Sequence, residues 1–302
     1  MQKLPSLTFA WLSLLCATTA FAQAVSVADF AGRRVSLAAP AQRIVALAPH
    51  LVENLYSAGA GDRLVGVVSY SDYPPQAGDI PEVGSFNAYS LEAIASLQPD
   101  LILMWGSGNG MRTLAKLEML GIPVFVSEPR QLADIARDIR LLGQLAGTGA
   151  SAEREAVRID SELAALRERY RGGQPIPVMY EIWNQPLQTI NGEHLISQVI
   201  ELCGGHNIFA NLASLAPQVN IEAVLARAPR AIVASGRQDT RPGWLDEWRR
   251  YPDLPAVRDG GLFFVDPDLL ERPTARVLQG ARSLCSQLHS LRAGDQAMDA
   301  RE

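Results

Sequence analysis

The stretch LEAIASLQPDLIL at 91–103 returns at 221–233 as IEAVLARAPRAIV, with Glu92 and Glu222 in the same place 130 residues apart. Each copy reads as a short helix, a break at proline, and an apolar run of strand length. An apolar strand of this kind needs paired neighbours and a cover of helices, so each copy has to sit inside a larger α/β unit. Two copies this far apart point to two related α/β lobes in one chain.

The flanking sequence supplies the other parts. RIVALAP (43–49), LVGVVS (64–69), LILMWG (101–106) and PVFVSE (123–128) are apolar on both faces and are separated by helical stretches and glycine stops. That pattern predicts a parallel sheet covered by helices. It resumes with VMYEIW (178–183), LQTIN (187–191), a helix from about His194 to Leu202, the second copy of the repeat, and LFFVDP (262–267).

Between the two runs, SAEREAVRIDSELAALRERYR (151–171) places Ala156, Ile159, Leu163, Leu166 and Tyr170 at 3-4-3-4 spacing, one narrow apolar stripe. A helix of that length spans about 31 Å. It reads either as a rigid strut between lobes or as a long crossover helix inside one domain. With the strut, the expected fold is α/β: two Rossmann-like lobes with parallel-rich sheets, joined by one long rigid α-helix, with a ligand cleft between them. The expected boundaries are 23–150 for the first lobe, 151–172 for the helix, 173–293 for the second lobe and 294–302 for a tail.

Residues 1–22 stand apart from this pattern. Lys3, an apolar run from Leu7 to Cys16, and small residues at Ala20 and Ala22 make a secretory signal with cleavage expected after Ala22. The apolar run is too short to span a bilayer. Leu15 stands before Cys16 where a lipoprotein signal carries a small residue, which disfavours lipidation. In an exported chain the two remaining cysteines, Cys203 and Cys285, favour a disulfide over two free buried thiols. The net charge of −5 and the lack of basic runs argue against nucleic acid or anionic lipid as partner.

Signatures of catalysis are missing. GSGNG (106–110) follows a strand but has neither dinucleotide nor P-loop spacing, so a sharp turn is expected. The histidines His50, His194, His206 and His289 are scattered, and no C-x-x-C occurs. His50 and Glu53, three apart on a helix, are the one pair on which a secreted metal-dependent enzyme could be built. No metal, cofactor or catalytic residue is assigned.

Ligands of open α/β sheets bind beyond the carboxyl ends of the strands. Those ends carry Pro49, His50, Tyr70, Trp105, Trp183 and the segment Asp268-Leu269-Leu270-Glu271-Arg272. Large aromatics at three strand ends suit a large, partly flat, partly polar ligand.

SYSDYPPQA (69–77), the first repeat, VIELCGGHNIFA (199–210), PQVNIEAVLARAPRAIV and DLLERPTARV (268–277) resemble periplasmic cobalamin-binding proteins, members of the helical-backbone binding proteins that serve ABC importers. The likeness runs from about Arg43 to Leu291. It implies a periplasmic, non-enzymatic monomer that captures a corrinoid. Tyr70 and Asp268–Arg272 match the family's corrinoid-contacting positions, with Leu269 and Leu270 replacing an aromatic pair. Phe86 stands where a tryptophan is found, and Leu215-Ala216 where another tryptophan precedes Pro-Gln-Val. Cys203 and Cys285 match the cysteines of the family's disulfide. Glu92 and Glu222 match acids that dock into arginine pockets of a two-fold permease. A local role stands beside that one: with Ser90 and Asn220 as N-caps, each acid lies in the first helical turn and favours the helix dipole. Within the class, a ferric siderophore or haem is the alternative cargo.

Overall fold

The computed structural model describes residues 24–235 and 240–299; the expected signal segment lies outside them. The first sheet is built from β1 (Ile44–Ala46), β2 (Leu64–Gly66), β3 (Leu101–Trp105) and β4 (Val124–Ser127), all parallel, in the order β2-β1-β3-β4. The second is built from β5 (Ile176–Glu181), β6 (Gly205–Asn207), β7 (Ala231–Ala234) and β8 (Leu262–Phe264), also parallel, in the order β6-β5-β7-β8. The two orders are the same order. The repeat strands β3 and β7 take the same place in the two sheets.

In chain order the helices that matter here are α1 (Pro49–Ser57), α2 (Leu91–Ser96), α3 (Leu132–Ala146), α4 (Gly149–Arg169), α5 (Leu195–Leu202), α6 (Ile221–Arg227), α7 (Pro267–Leu270) and α8 (Val277–Asp299). Each sheet also carries a small antiparallel hairpin ahead of its repeat helix: Gly84–Ser85 with Ala88–Tyr89 before α2, and Trp183–Asn184 with Leu187–Gln188 before α6. A further hairpin, Val25–Ala28 with Arg34–Leu37, and helix α3 have no counterpart in the sequence reading. Helix α3 was nevertheless written plainly. Leu132, Ile135, Ile139, Leu142 and Leu145 form one buried stripe, closed by a capping box at Gln131 and Asp134 and a left-handed Gly147.

The long helix α4 starts at Gly149, two residues ahead of the expected 151, and ends at Arg169, short of the expected 172: Thr148 is the N-cap, and positive φ at Gly172 and Gly173 turns the chain away. Its predicted stripe is the buried one: Ala156 and Ile159 are fully buried, and Leu163, Leu166 and Tyr170 nearly so. It does not stand alone. Helix α3 packs against it so closely that a Cβ at Gly143 would meet the Ala152 methyl at 2.2 Å. The Arg282 guanidinium of α8 pairs with Glu162 from the other side. Helix α8 continues to Asp299 and takes in most of the segment expected as a tail, Gly294 included. Cys203 at the end of α5 is bonded to Cys285 of α8, and both are buried. Among the described residues no helix is long and apolar enough to cross a membrane.

Candidate functional site

Helix α1 leaves the carboxyl end of β1 and brings Glu53 and Asn54 to the second half of the chain. Glu53 Oε1 accepts from Arg272 at 2.9 Å and from Arg276 at 3.3 Å, while Asn54 Nδ2 donates to the Pro273 carbonyl at 3.1 Å. The segment 272–276 follows β8 and α7, so the carboxyl ends of the two sheets abut here. Glu53, Asn54, Arg272 and Arg276 tie the two halves together at this junction. Burial raises the Glu53 carboxyl above its ordinary range, and the hydrogen bond from Arg272 and the charge of Arg276 oppose the rise. Beneath it, Asp138 of α3 is hydrogen-bonded by Asn54 at 2.9 Å and Ser127 at 2.9 Å; burial nevertheless pushes it up to about 6.

The first lobe presents aromatic groups on a polar frame. Trp105 ends β3, with the His50 ring edge-on at 5.2 Å and the Phe86 ring at 6.2 Å. Asn109 fixes this group: its Oδ1 accepts from the Trp105 amide at 2.6 Å, and its Nδ2 donates to Leu47 O at 2.9 Å and to Phe86 O at 2.5 Å. Gly108 leaves room for the indole, since a Cβ there would lie 1.9 Å from the ring. GSGNG is thus a single helical turn that holds the aromatic pair. His50 is buried, and burial, with Arg272 second, lowers its pKa to about 3, so the ring is neutral. Its Nε2 has no hydrogen-bond partner. Pro49, the first residue of α1, is half-buried beside it. Tyr70 projects from its loop at 77% exposure, in a left-handed backbone conformation with φ of 66°.

The second lobe presents charge. Arg272 pairs with Asp268 at 3.1 Å within its own segment, and with Asp72 of the first lobe at 3.0 Å. Arg276 lies over the Tyr73 ring at 4.2 Å. Trp183 is exposed on its hairpin, its indole N–H donating to Gln185 O at 2.9 Å. Leu269 is half-buried and Glu271 exposed. Leu270, read as part of the contact segment, is instead core: it is 1% exposed and packs against α8 at Gly280. A one-turn helix has to turn one side inward, and Leu270 is on that side.

Glu92 and Glu222 are exposed, each the second residue of its helix. Ser90 caps α2 by accepting from the Ala93 amide, and Asn220 caps α6 by accepting from the Ala223 amide. The capping geometry is the same in both lobes, which leaves both carboxylates free to point outward from the turn.

Three participants have no forecast in the sequence: Asp72, Arg276 and Asn109. Each acts through a partner far away in the chain. Of the His50–Glu53 pair, Glu53 Oε1 is taken by two arginines, and among the described residues no group of three His, Cys, Asp or Glu is placed to hold a metal ion.

Two parallel sheets of one strand order, with a long helix between them in the chain, define a class of binding protein. The periplasmic binding protein family model matches residues 44–269, and the chain belongs to that family. Its relatives include the vitamin B12-binding protein of Vibrio campbellii, 37% identical over 253 residues that make up 84% of this chain and 91% of that protein. The vitamin B12-binding protein of Yersinia pestis (strain Pestoides F) is 38% identical over 83% of this chain and 88% of its own length. Among solved structures, the periplasmic vitamin B12 binding protein BtuF of Vibrio cholerae is similar with a TM-score of 0.77 and 37% identity, over 84% of this chain and 98% of that one. A periplasmic heme-binding protein of Roseiflexus sp. RS-1 is similar at 25% identity and a TM-score of 0.72, over 83% of this chain and 98% of that one.

Proposed function

We propose that this protein is a periplasmic carrier that captures a corrinoid such as cobalamin between its lobes and delivers it to an ABC importer. The observation that carries the reading is the pair of unlike faces at the cleft: Tyr70, Phe86 and Trp105 on one side, Asp268, Trp183 and the arginine cluster on the other. A corrin macrocycle is broad, flat and apolar on its faces, with amide groups at its rim. Aromatic faces bury the ring, and polar groups satisfy the amides. The relatives named as vitamin B12-binding proteins, at more than a third identity along most of the chain, support the same ligand.

The haem and siderophore readings fit less well. Ferric catecholate siderophores and the propionates of haem carry negative charge and call for free cations. Arg272 is paired with three carboxylates and Arg276 with one. The outward pair Glu92 and Glu222 suits a two-fold permease, since a pseudo-symmetric monomer offers each half of the dimer the same carboxylate. No catalytic role is proposed, the signal segment 1–22 accounts for export, and the expected carrier is a monomer.

Calorimetric titration with cyanocobalamin tests the ligand. One-to-one binding at micromolar protein or tighter is expected; absence of heat and of tryptophan quenching would remove the assignment and leave the fold untouched.

A further inference from the structure

The loop that carries Tyr70 poses a problem of its own. Tyr70 is three-quarters exposed, so burial does not hold it, yet its φ of 66° is a conformation that a residue with a Cβ adopts only against a steric cost. The Ser71 amide donates to Val68 O at 3.3 Å, which closes a turn with Tyr70 at its third position, the place where such turns favour glycine. Something outside the turn has to keep it in this shape.

The approach to the turn is tied within the first lobe. The Ser69 amide donates to Gly84 O at 2.8 Å, and Ser69 Oγ donates to Glu82 at 2.8 Å. The exit is tied to the other lobe. Asp72 Oδ1 takes Arg272 at 3.0 Å, and the next residue, Tyr73, lies under the Arg276 guanidinium at 4.2 Å. Both arginines are themselves anchored, since Glu53 Oε1 accepts from each. Arg272 is committed to Glu53, Asp72 and Asp268, and its side chain is only 17% exposed.

We infer that Asp72, Arg272 and Arg276 are positioning residues: a clamp across the lobe junction that holds Tyr70 in its strained, ligand-facing pose before any ligand arrives. Arg272 then serves the ligand through Asp72 and Tyr70, not through its own charge. The inference rests on the proposed corrinoid reading for the identity of the ligand, though the clamp itself is a property of the free protein. Its benefit is preorganisation: a contact residue fixed in advance loses less freedom on binding.

A double-mutant cycle on cyanocobalamin affinity separates this from direct contact, with thermal melts confirming that each variant folds. Asp72→Asn should weaken binding about 5- to 30-fold in the wild-type background, and by less than about twofold once Tyr70→Ala is present. Arg276→Met, which keeps the stem and removes the cation, should follow the same rule. Losses that multiply would mean that Asp72 meets the ligand itself, and no loss in the single variant would mean that the turn holds its own shape; either overturns the clamp. If the wild-type protein binds no cyanocobalamin, the functional reading falls, and hydrogen exchange of the Ser71 amide in the free protein still decides the clamp. Asp72→Asn should speed that exchange about tenfold, and an unchanged rate overturns it.

Discussion

The two lobes share one plan and differ in what they show the cleft. Both sheets have the same strand order, both send a hairpin into a capped helix, and both place an exposed glutamate at the second position of that helix. The first lobe then offers Trp105, Phe86 and Tyr70, held by Asn109 and by bonds to backbone. The second offers Asp268 and Trp183 beside the paired Arg272 and Arg276, and it alone carries a disulfide. The lobes match in their sheet order and exposed helix starts and differ in the side chains at their junction. That division suits a carrier whose outer partner is symmetric and whose cargo is not.

The outward half of the comparison has the largest expected effect. Replacing Glu92 and Glu222 together by alanine should abolish ligand delivery in a reconstituted importer, each single variant losing about 10-fold or more, with ligand affinity unchanged. A fall in affinity instead would place the acids in ligand binding and break the symmetry argument.

The disulfide sharpens the contrast in stability. It closes a separation of 82 residues, so Cys203→Ser with Cys285→Ser should cost about 2–5 kcal/mol in denaturant unfolding. Hydrogen exchange should show the loosening around α5 and α8 and spare the first sheet. Uniform loosening would mean that the lobes unfold as one unit.

Asn109→Ala tests the aromatic frame. It leaves the Trp105 amide and two carbonyls without their partner, at a cost of about 1–3 kcal/mol, and should free the Trp105 ring. Tryptophan anisotropy and the melting temperature report the two effects separately.

Glu181 gives the second lobe a pH signature of its own, at higher pH than that of Asp138 in the first. Burial pushes its carboxyl up to about 8, opposed by the Trp248 indole N–H at 2.8 Å. Below about pH 4.5 both folded and unfolded chains hold the proton and the site costs nothing. As pH rises, the unfolded chain releases its proton first, so stability falls until the folded carboxyl has ionised above about 8. Glu181→Gln keeps an acceptor for Trp248 and should stabilise by about 1–3 kcal/mol at pH 8.5, with little gain near pH 4.5. A gain that does not vary with pH would mean that Glu181 is not protonated in the native state at neutral pH.

Much of the architecture was legible because it is periodic. The repeat, the apolar strands and the stripe from Ala156 to Tyr170 state their geometry locally, and Ser90 and Asn220 announce their caps two residues ahead of Glu92 and Glu222. Cys203 and Cys285 needed only a count. Helix α3 is written in the same way, with a stripe as regular as that of α4. The cleft was legible at its strand ends but not in its wiring. Nothing near Asp72 in the chain mentions Arg272, and nothing near Asn109 mentions Phe86; the first pair exists only once the lobes meet, and the second only once the first lobe has folded. Leu270 shows the opposite error, a residue given to the ligand by its place in a motif and taken by the core because its one-turn helix has an inner side.

If the unlike inner faces select a flat, neutral-faced macrocycle with a polar rim, side-by-side titration of the purified protein with cyanocobalamin and haemin will separate the two. One-to-one binding of cyanocobalamin with quenching of Trp105 and Trp183 fluorescence is expected, and haemin binding at least about 100-fold weaker. Haemin binding as tightly as cyanocobalamin, or in its place, would contradict it.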